Sequence, residues 1–129
     1  MKEHSIRLTE AEWSIMECLW ERYPLTGREV TAQMQERCGW SRSTTLTLLS
    51  RLEAKGAVTG TADGGKKTFS PLISREDAAL QETEDLLGRV YNGSLSLLVS
   101  SMTKKQSLSQ KEIDELYAIL KEMEAGDGA

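Results

Sequence analysis

Histidine is nearly absent from this chain of 129 residues. The only one, His4, lies near the N-terminus, where the sequence offers it no partner for proton transfer or metal ligation. Cysteine is scarce too. Cys18 and Cys38 fall inside helical patterns and read as small buried hydrophobes rather than as a disulfide or metal pair. The chain has no Gly-rich phosphate loop, no convergent Cys/His/Asp set and no metal-ligand spacing. An enzyme is therefore not expected, nor a cofactor, nor a metal. No apolar run approaches the ~18 residues of a membrane helix. The opening Met1-Lys2-Glu3-His4 lacks the apolar stretch of a secretory signal. These absences lead to the expectation of a cytoplasmic protein without membrane contact. Aromatic residues are few, at 5%. Trp13, Trp20 and Trp40 sit on apolar stripes and read as core, not as a platform for stacking single-stranded bases.

The chain also lacks an overall positive charge, its formal net charge being −4. The charge is unevenly spread. Residues 1–72 carry ten basic and nine acidic side chains, whereas residues 73–129 carry six and eleven. Within 37–67, six basic residues (Arg37, Arg42, Arg51, Lys55, Lys66, Lys67) face only Glu53 and Asp63. Screening confines electrostatic attraction to about 8–10 Å, so this local excess outweighs the total for a phosphate-bearing partner.

What is present is most informative from Trp40 to Gly56, W-S-R-S-T-T-L-T-L-L-S-R-L-E-A-K-G. Thr45, Leu48, Leu49 and Leu52 recur at i, i+3, i+4 and i+7 and form one apolar face of a helix. The opposite face carries Ser43, Thr47 and Ser50, flanked by Thr44, Leu46 and Arg51. A solvated face normally mixes Glu with Lys, and Ser and Thr are poor helix formers seldom placed on an exposed face without reason. Small hydroxyl donors and acceptors with a guanidinium suit base edges and phosphates in a major groove. The pattern is that of a recognition helix. Ser41, Arg42, Ser43, Thr44, Leu46, Thr47 and Arg51 are its candidate DNA-binding residues, with Leu46 matched to a thymine methyl and Arg51 to backbone phosphate.

Capping signals divide the rest. Thr9-Glu10-Ala11-Glu12 is a capping box, and Trp13, Met16, Leu19, Trp20 and Tyr23 follow at helical spacing until Pro24. Thr26-Gly27-Arg28-Glu29 is a second box, followed by Val30 and Met34. Gly39 suits a left-handed helix end, and Ser41 caps the third helix. The period then changes. Residues 57–61 and 66–70 read as two strands joined by Asp63-Gly64-Gly65 and stopped by Pro71. Three helices and a hairpin describe a winged helix, mainly α, over 1–72. At least one of Lys66 and Lys67, on the wing, is expected to touch phosphate.

Residues 73–124 read as helical throughout. Ser74 caps a helix over 75–91, Asn92-Gly93 breaks it, and Leu95, Leu98, Val99 and Met102 mark the next. Lys104-Lys105-Gln106 reads as a polar link. Ser109 opens a third capping signal, followed by Ile113, Leu116, Leu120 and Met123. These helices total about 50 residues, too few for a comfortable independent core. A second copy is the natural partner. Leu87, Val90, Tyr91, Leu95, Leu98, Val99, Met102, Ile113, Leu116 and Leu120 are the expected dimerisation residues of an all-helical unit. A mobile junction is expected near 71–75, and a disordered tail at 125–129.

The chain resembles the penicillinase-repressor and methicillin-resistance-repressor family (the BlaI/MecI/CopY group). The matching pieces are L-T-E-A-E-W-x-I-M-x-x-L-W at Leu8–Trp20, W-S-x-S-T-x-x-T-L-L-x-R-L at Trp40–Leu52 and K-G at Lys55-Gly56. F-S-P-L at Phe69–Leu72, R-V-Y-N-G-S-L-S-L-L-V at Arg89–Val99 and L-S-Q-K-E-I-D-E-L-Y-A-I-L at Leu108–Leu120 complete them. The resemblance implies a cytoplasmic homodimeric repressor that binds a dyad operator in double-stranded DNA. It points to β-lactam resistance or a related cell-envelope response. In the β-lactam branch a regulatory protease cuts an Asn-Phe bond in the dimerisation unit; the aligned pair here is Ser101-Met102. In the copper branch a C-terminal cysteine cluster takes up metal, and the tail after Met123 has no cysteine. Thr44, Thr47 and Arg51 match the family's reading helix, whereas Ser43 and Leu46 stand where relatives often have Lys and Arg. Two alternatives stay open: a metal (copper)-responsive repressor of the same family, and a winged helix turned protein-interaction module.

Overall fold

The computed structural model describes residues 6–105 and 107–127; His4, Gln106 and the last two residues of the expected tail lie outside them. The elements run α1 (Glu10–Glu21), β1 (Leu25–Thr26), α2 (Gly27–Cys38), α3 (Arg42–Lys55), β2 (Val58–Asp63), β3 (Lys66–Pro71), α4 (Arg75–Val90), α5 (Leu95–Lys105) and α6 (Gln110–Asp127). Local chemistry sets most starts. Thr9 Oγ1 accepts from the Glu12 N–H at 3.1 Å, and the Thr9 N–H donates to Glu12 Oε1 at 2.8 Å. Thr26 and Glu29 repeat the same reciprocal pair at the start of α2. Ser41 Oγ caps α3 by accepting from the Thr44 N–H. Ser74, Ser94 and Ser109 do the same for α4, α5 and α6. Left-handed glycines close two helices, Gly39 (φ 71°) after α2 and Gly56 (φ 83°) after α3.

The apolar stripes of the first three helices meet in one core. Ile15, Met16 and Leu19 of α1, Val30 and Met34 of α2, and Leu48, Leu49 and Leu52 of α3 are buried, closed by Leu25, Val58 and Phe69 from the strands. Thr45 is buried on the same face, as its spacing predicts. The hairpin turns at Gly64 and Gly65, both at positive φ, the geometry of a two-residue primed turn. β2 and β3 pair antiparallel from Val58↔Pro71 to Asp63↔Lys66. The sheet has a third strand that the sequence pattern does not announce. β1 adds to the free edge of β3, with Leu25 opposite Phe69. Pro71, expected to stop the hairpin, is the last residue of β3. A winged helix-turn-helix followed by helices is therefore the observed architecture.

Several expectations are corrected. The three tryptophans are half-buried rather than inside the core, Trp20 and Trp40 packing against it from outside; for Trp13 and Trp20 the indole N–H requires an acceptor. Trp13 donates to Glu17 Oε2 and Trp20 to the Ile73 carbonyl, both at 2.9 Å, and the two rings meet edge to face at 5.2 Å. Cys18 is buried as expected, and desolvation pushes its thiol above its ordinary range. Cys38 is exposed at the last residue of α2, where that helix outruns the core. Lys104 and Lys105 belong to α5 rather than to a link, and α6 continues through Asp127, inside the segment expected to be a tail.

The chain forms two compact units, one ending at Asp85 and the other starting at Leu86. The expected change at 72/73 thus lies ahead of α4, whose beginning packs with the winged helix. Ala78 is buried there, and Arg75 grips Glu17 through Nε at 3.3 Å and Nη2 at 3.0 Å. With Trp20 bonded to Ile73, the stretch expected to be a mobile junction is tied to α1. In the second unit, Tyr91 Oη and Ser101 Oγ share a hydrogen bond at 3.0 Å. No residue of α5 is fully buried among those described.

Candidate nucleic-acid interface

α3 divides its side chains as its sequence requires. Thr45, Leu48, Leu49 and Leu52 point into the core, which turns Ser43, Thr44, Thr47, Ser50 and Arg51 outward, all exposed. With Ala11 of α1 and Leu48, four of these residues (Ser43, Thr44, Thr47 and Arg51) line one shallow surface groove. Ala11 was not singled out by sequence; a small residue in the first turn of α1 carries no signal of its own. The start of the face is pre-organised. The Ser41 hydroxyl lies 3.0 Å from Thr44 Oγ1, to which it donates, and 3.3 Å from Ser43 Oγ. Ser41 and Arg42 are exposed at this end of the helix.

Leu46 is the exception among the candidate reading residues. It is half-buried against the core, with one δ-methyl 3.5 Å from the point where a Cβ on Gly27 would sit. A Cβ at Gly27 would only touch Leu46 and Phe69 at ordinary van der Waals distance, so the start of α2 lies against α3 without requiring glycine there. Part of Leu46 thus serves the contact between the two helices.

The six basic residues of 37–67 are not equivalent. Arg37 is paired with Glu21 at 2.5 Å, and this bond holds its guanidinium above its usual pKa. Lys55 is paired with the buried Glu12 at 2.5 Å and also donates to the Arg7 carbonyl at 2.7 Å. Lys67 reaches back from the wing to Glu53 Oε1 at 3.1 Å and lies 5.3 Å from the centre of the Phe69 ring. Arg42, Arg51 and Lys66 make no ion pair among the described residues, and all three are exposed. Lys66 stands beside the wing turn, where its field helps to lower the pKa of Glu29, a shift due first to the Thr26 N–H.

Glu53, the one carboxylate in α3, was not singled out as a functional residue by sequence. Its partner lies on another element, and helical spacing says nothing about that distance. Among the described residues no group of three or more His, Cys, Asp or Glu side chains could hold a metal ion. No helix among them is long and apolar enough to cross a membrane. The expected dimerisation residues divide between half-buried (Leu87, Tyr91, Leu98, Ile113) and exposed (Val90, Leu95, Val99, Met102, Leu116, Leu120). Leu97, Tyr117, Ile119 and Met123 are exposed as well. Ser101 and Met102 both sit within α5, the first half-buried and the second exposed.

A helix-turn-helix with a three-stranded wing, an outward hydroxyl face and a helical C-terminal unit defines the winged-helix class. Within that class, the chain belongs to the penicillinase repressor family, whose family model matches residues 8–122. It is 32% identical over 116 residues to the penicillinase repressor of Bacillus licheniformis, covering 90% of this chain and 91% of that one. It is 28% identical over 120 residues to the methicillin resistance regulatory protein MecI of Staphylococcus aureus, covering 93% and 98%. The solution structure of the DNA-binding domain of the repressor BlaI superposes with a TM-score of 0.52 at 28% identity. It covers 60% of this chain and 93% of that one. The monomeric form of Bacillus licheniformis BlaI in complex with the blaP half-operator gives the same values.

Proposed function

We propose that the protein is a sequence-specific DNA-binding transcriptional repressor that acts as a homodimer on a dyad operator. The observation that carries this reading is the outward face of α3. Ser43, Thr44, Thr47 and Arg51 are exposed side by side on a helix anchored through Thr45, Leu48, Leu49 and Leu52. The helix enters the major groove with Ser41, Arg42 and Ser43 leading. Thr44 and Thr47 meet base edges or phosphate, the exposed edge of Leu46 meets a thymine methyl, and Arg51 grips phosphate. Lys66 brings the wing onto the adjacent backbone. Two copies place two such heads about one helical turn apart, which is what a dyad site requires. The relatives that are penicillinase and methicillin-resistance regulators support β-lactam resistance or a related cell-envelope response as the regulated system. A regulatory protease acting at Ser101-Met102 would first have to open α5, since both residues are helical.

Mobility shift on the DNA flanking the protein's own coding region, in a salt series against random competitor, tests the reading. The expected result is preferential retention of that fragment, with affinity falling linearly on a log–log plot as salt rises. Arg51→Ala is expected to weaken binding to all sequences and to lower the salt slope by about one per protomer. No preference for any flanking fragment at near-physiological salt would sink the proposal, and an unchanged slope in the variant would remove Arg51 from the phosphate contacts.

A further inference from the structure

Lys67 and Lys66 are neighbours in sequence but not in space. Alternation along a strand puts them on opposite faces of β3. Lys67 shares its face with Phe69, which is buried, and its ammonium sits over that ring. There it meets Glu53 from the last turns of α3, Nζ to Oε1 at 3.1 Å. The place where they meet is made by Gly60 on β2, directly opposite Phe69 in the register. A Cβ at Gly60 would lie 2.7 Å from Glu53 Oε2 and would collide with Lys67 Cε. Gly60 does not have positive φ, so a Cβ there would conflict not with the backbone conformation but with the movable ends of the Glu53 and Lys67 side chains, which would have to part. Three elements therefore converge on one ion pair: α3 supplies the anion, β3 the cation, and β2 the gap that admits both.

We propose that Glu53 is a specificity-determining residue: it holds Lys67 away from DNA phosphate and fixes the wing to the reading helix. The inference rests on the DNA-reading function proposed above and adds to it. Random-sequence binding is made almost entirely of phosphate contacts, whereas operator binding also draws on base contacts. Withdrawing one cation and placing a carboxylate beside the backbone penalises random DNA more than the operator. Discrimination is a difference of affinities, and a repulsive group can widen it as well as an attractive one. An exposed pair of this kind adds little to stability, so its effect is expected in binding rather than in folding.

The test uses the full chain and three variants: Glu53→Gln, Lys67→Gln and the double substitution. Each is titrated by fluorescence anisotropy against a random-sequence duplex and against the flanking promoter fragment, over about 50–200 mM salt. Glu53→Gln is expected to steepen the salt slope on random DNA by about one per protomer and to tighten that binding about tenfold at low salt, narrowing the ratio between promoter and random DNA. The double variant is expected to return the slope to that of Lys67→Gln, which a purely structural role for Glu53 would not produce. A wild-type slope in Glu53→Gln overturns the proposal, as does a loss of about one unit of slope in Lys67→Gln, which would mean that Lys67 already touches phosphate. If the wild-type chain binds neither duplex, the DNA-reading function itself fails and takes this inference with it; failure confined to the variants leaves that function standing.

Discussion

Glu12 shows how much a single side chain can organise here. It is the third residue of α1, it is 1% exposed, and its Oε1 accepts from both the Thr9 N–H and the Lys55 ammonium. It therefore links the start of the first helix to the end of the reading helix. Burial alone pushes its pKa up. Lys55, followed by the Thr9 N–H, pulls it down further, and the net result lies below the ordinary value of 4.5. A carboxylate whose folded pKa is depressed stabilises the fold above its unfolded pKa. That contribution disappears as pH falls through the folded value. Glu12→Gln keeps the shape but loses the charge-assisted bond, so it is expected to cost about 2–3 kcal/mol at neutral pH, read from urea midpoints. Below pH 4.5 the gap between variant and wild type should narrow. It should not close the acid sensitivity entirely, because Glu17 and Glu29 are also held below their usual range, by Arg75 and by the Thr26 N–H. A gap that stays constant from neutral pH to pH 3 would show that the charge of Glu12 is not what stabilises.

At the scale of elements, the turn between α2 and α3 sets the angle at which the reading helix leaves the core. Gly39 occupies it at φ 71°, and a Cβ there would meet nothing within 4 Å. The requirement is therefore conformational and not steric. Gly39→Ala is expected to cost about 1–2 kcal/mol, seen as a fall of several degrees in the thermal midpoint; an unchanged midpoint would mean that the turn accommodates Cβ by moving. This turn was legible in the sequence, as were the three caps around it and the core face of α3, because each depends on steps of no more than four positions along the chain. β1 was not legible. Two residues have no periodicity, and Leu25 and Thr26 become a strand only because β3 offers an edge. The ion pairs that sort the basic residues, Lys55 to Glu12 and Lys67 to Glu53, were equally hidden. Local spacing fixes which face a charge occupies, but only the assembled fold fixes what stands opposite. The tryptophans show the same limit: their stripe was readable, whereas the acceptor that draws Trp20 to the rim is a carbonyl far along the chain, at Ile73.

At the scale of the molecule, the unit from Leu86 onward leaves its apolar stripes uncovered. Leu95 is 55% exposed, Met102 49% and Leu120 54%. Large apolar side chains left exposed along successive helices point to an interaction site, and the proposed occupant is the same surface of a second copy, as a two-fold interface demands. Leu120→Glu would set a charge in each copy's share of that proposed interface, where it would have to lose water on association, and would remove apolar contact at the same time. Sedimentation at micromolar concentration should show a dimer for the wild type and a monomer for the variant. The winged helix does not depend on α6 for its core, whose buried members lie between Ile15 and Phe69, so its helical signal and its three-stranded sheet should persist. DNA binding should then separate into its parts. The variant is expected to lose the tight complex on a full dyad and to retain a weaker, salt-sensitive complex on one half of it. The loss should be far larger on the dyad than on the half-site, because only the dyad rewards two linked heads with an effective concentration. Equal losses on both would place the damage in the reading head, and a wild type that sediments as a monomer would remove the dimer from the mechanism altogether.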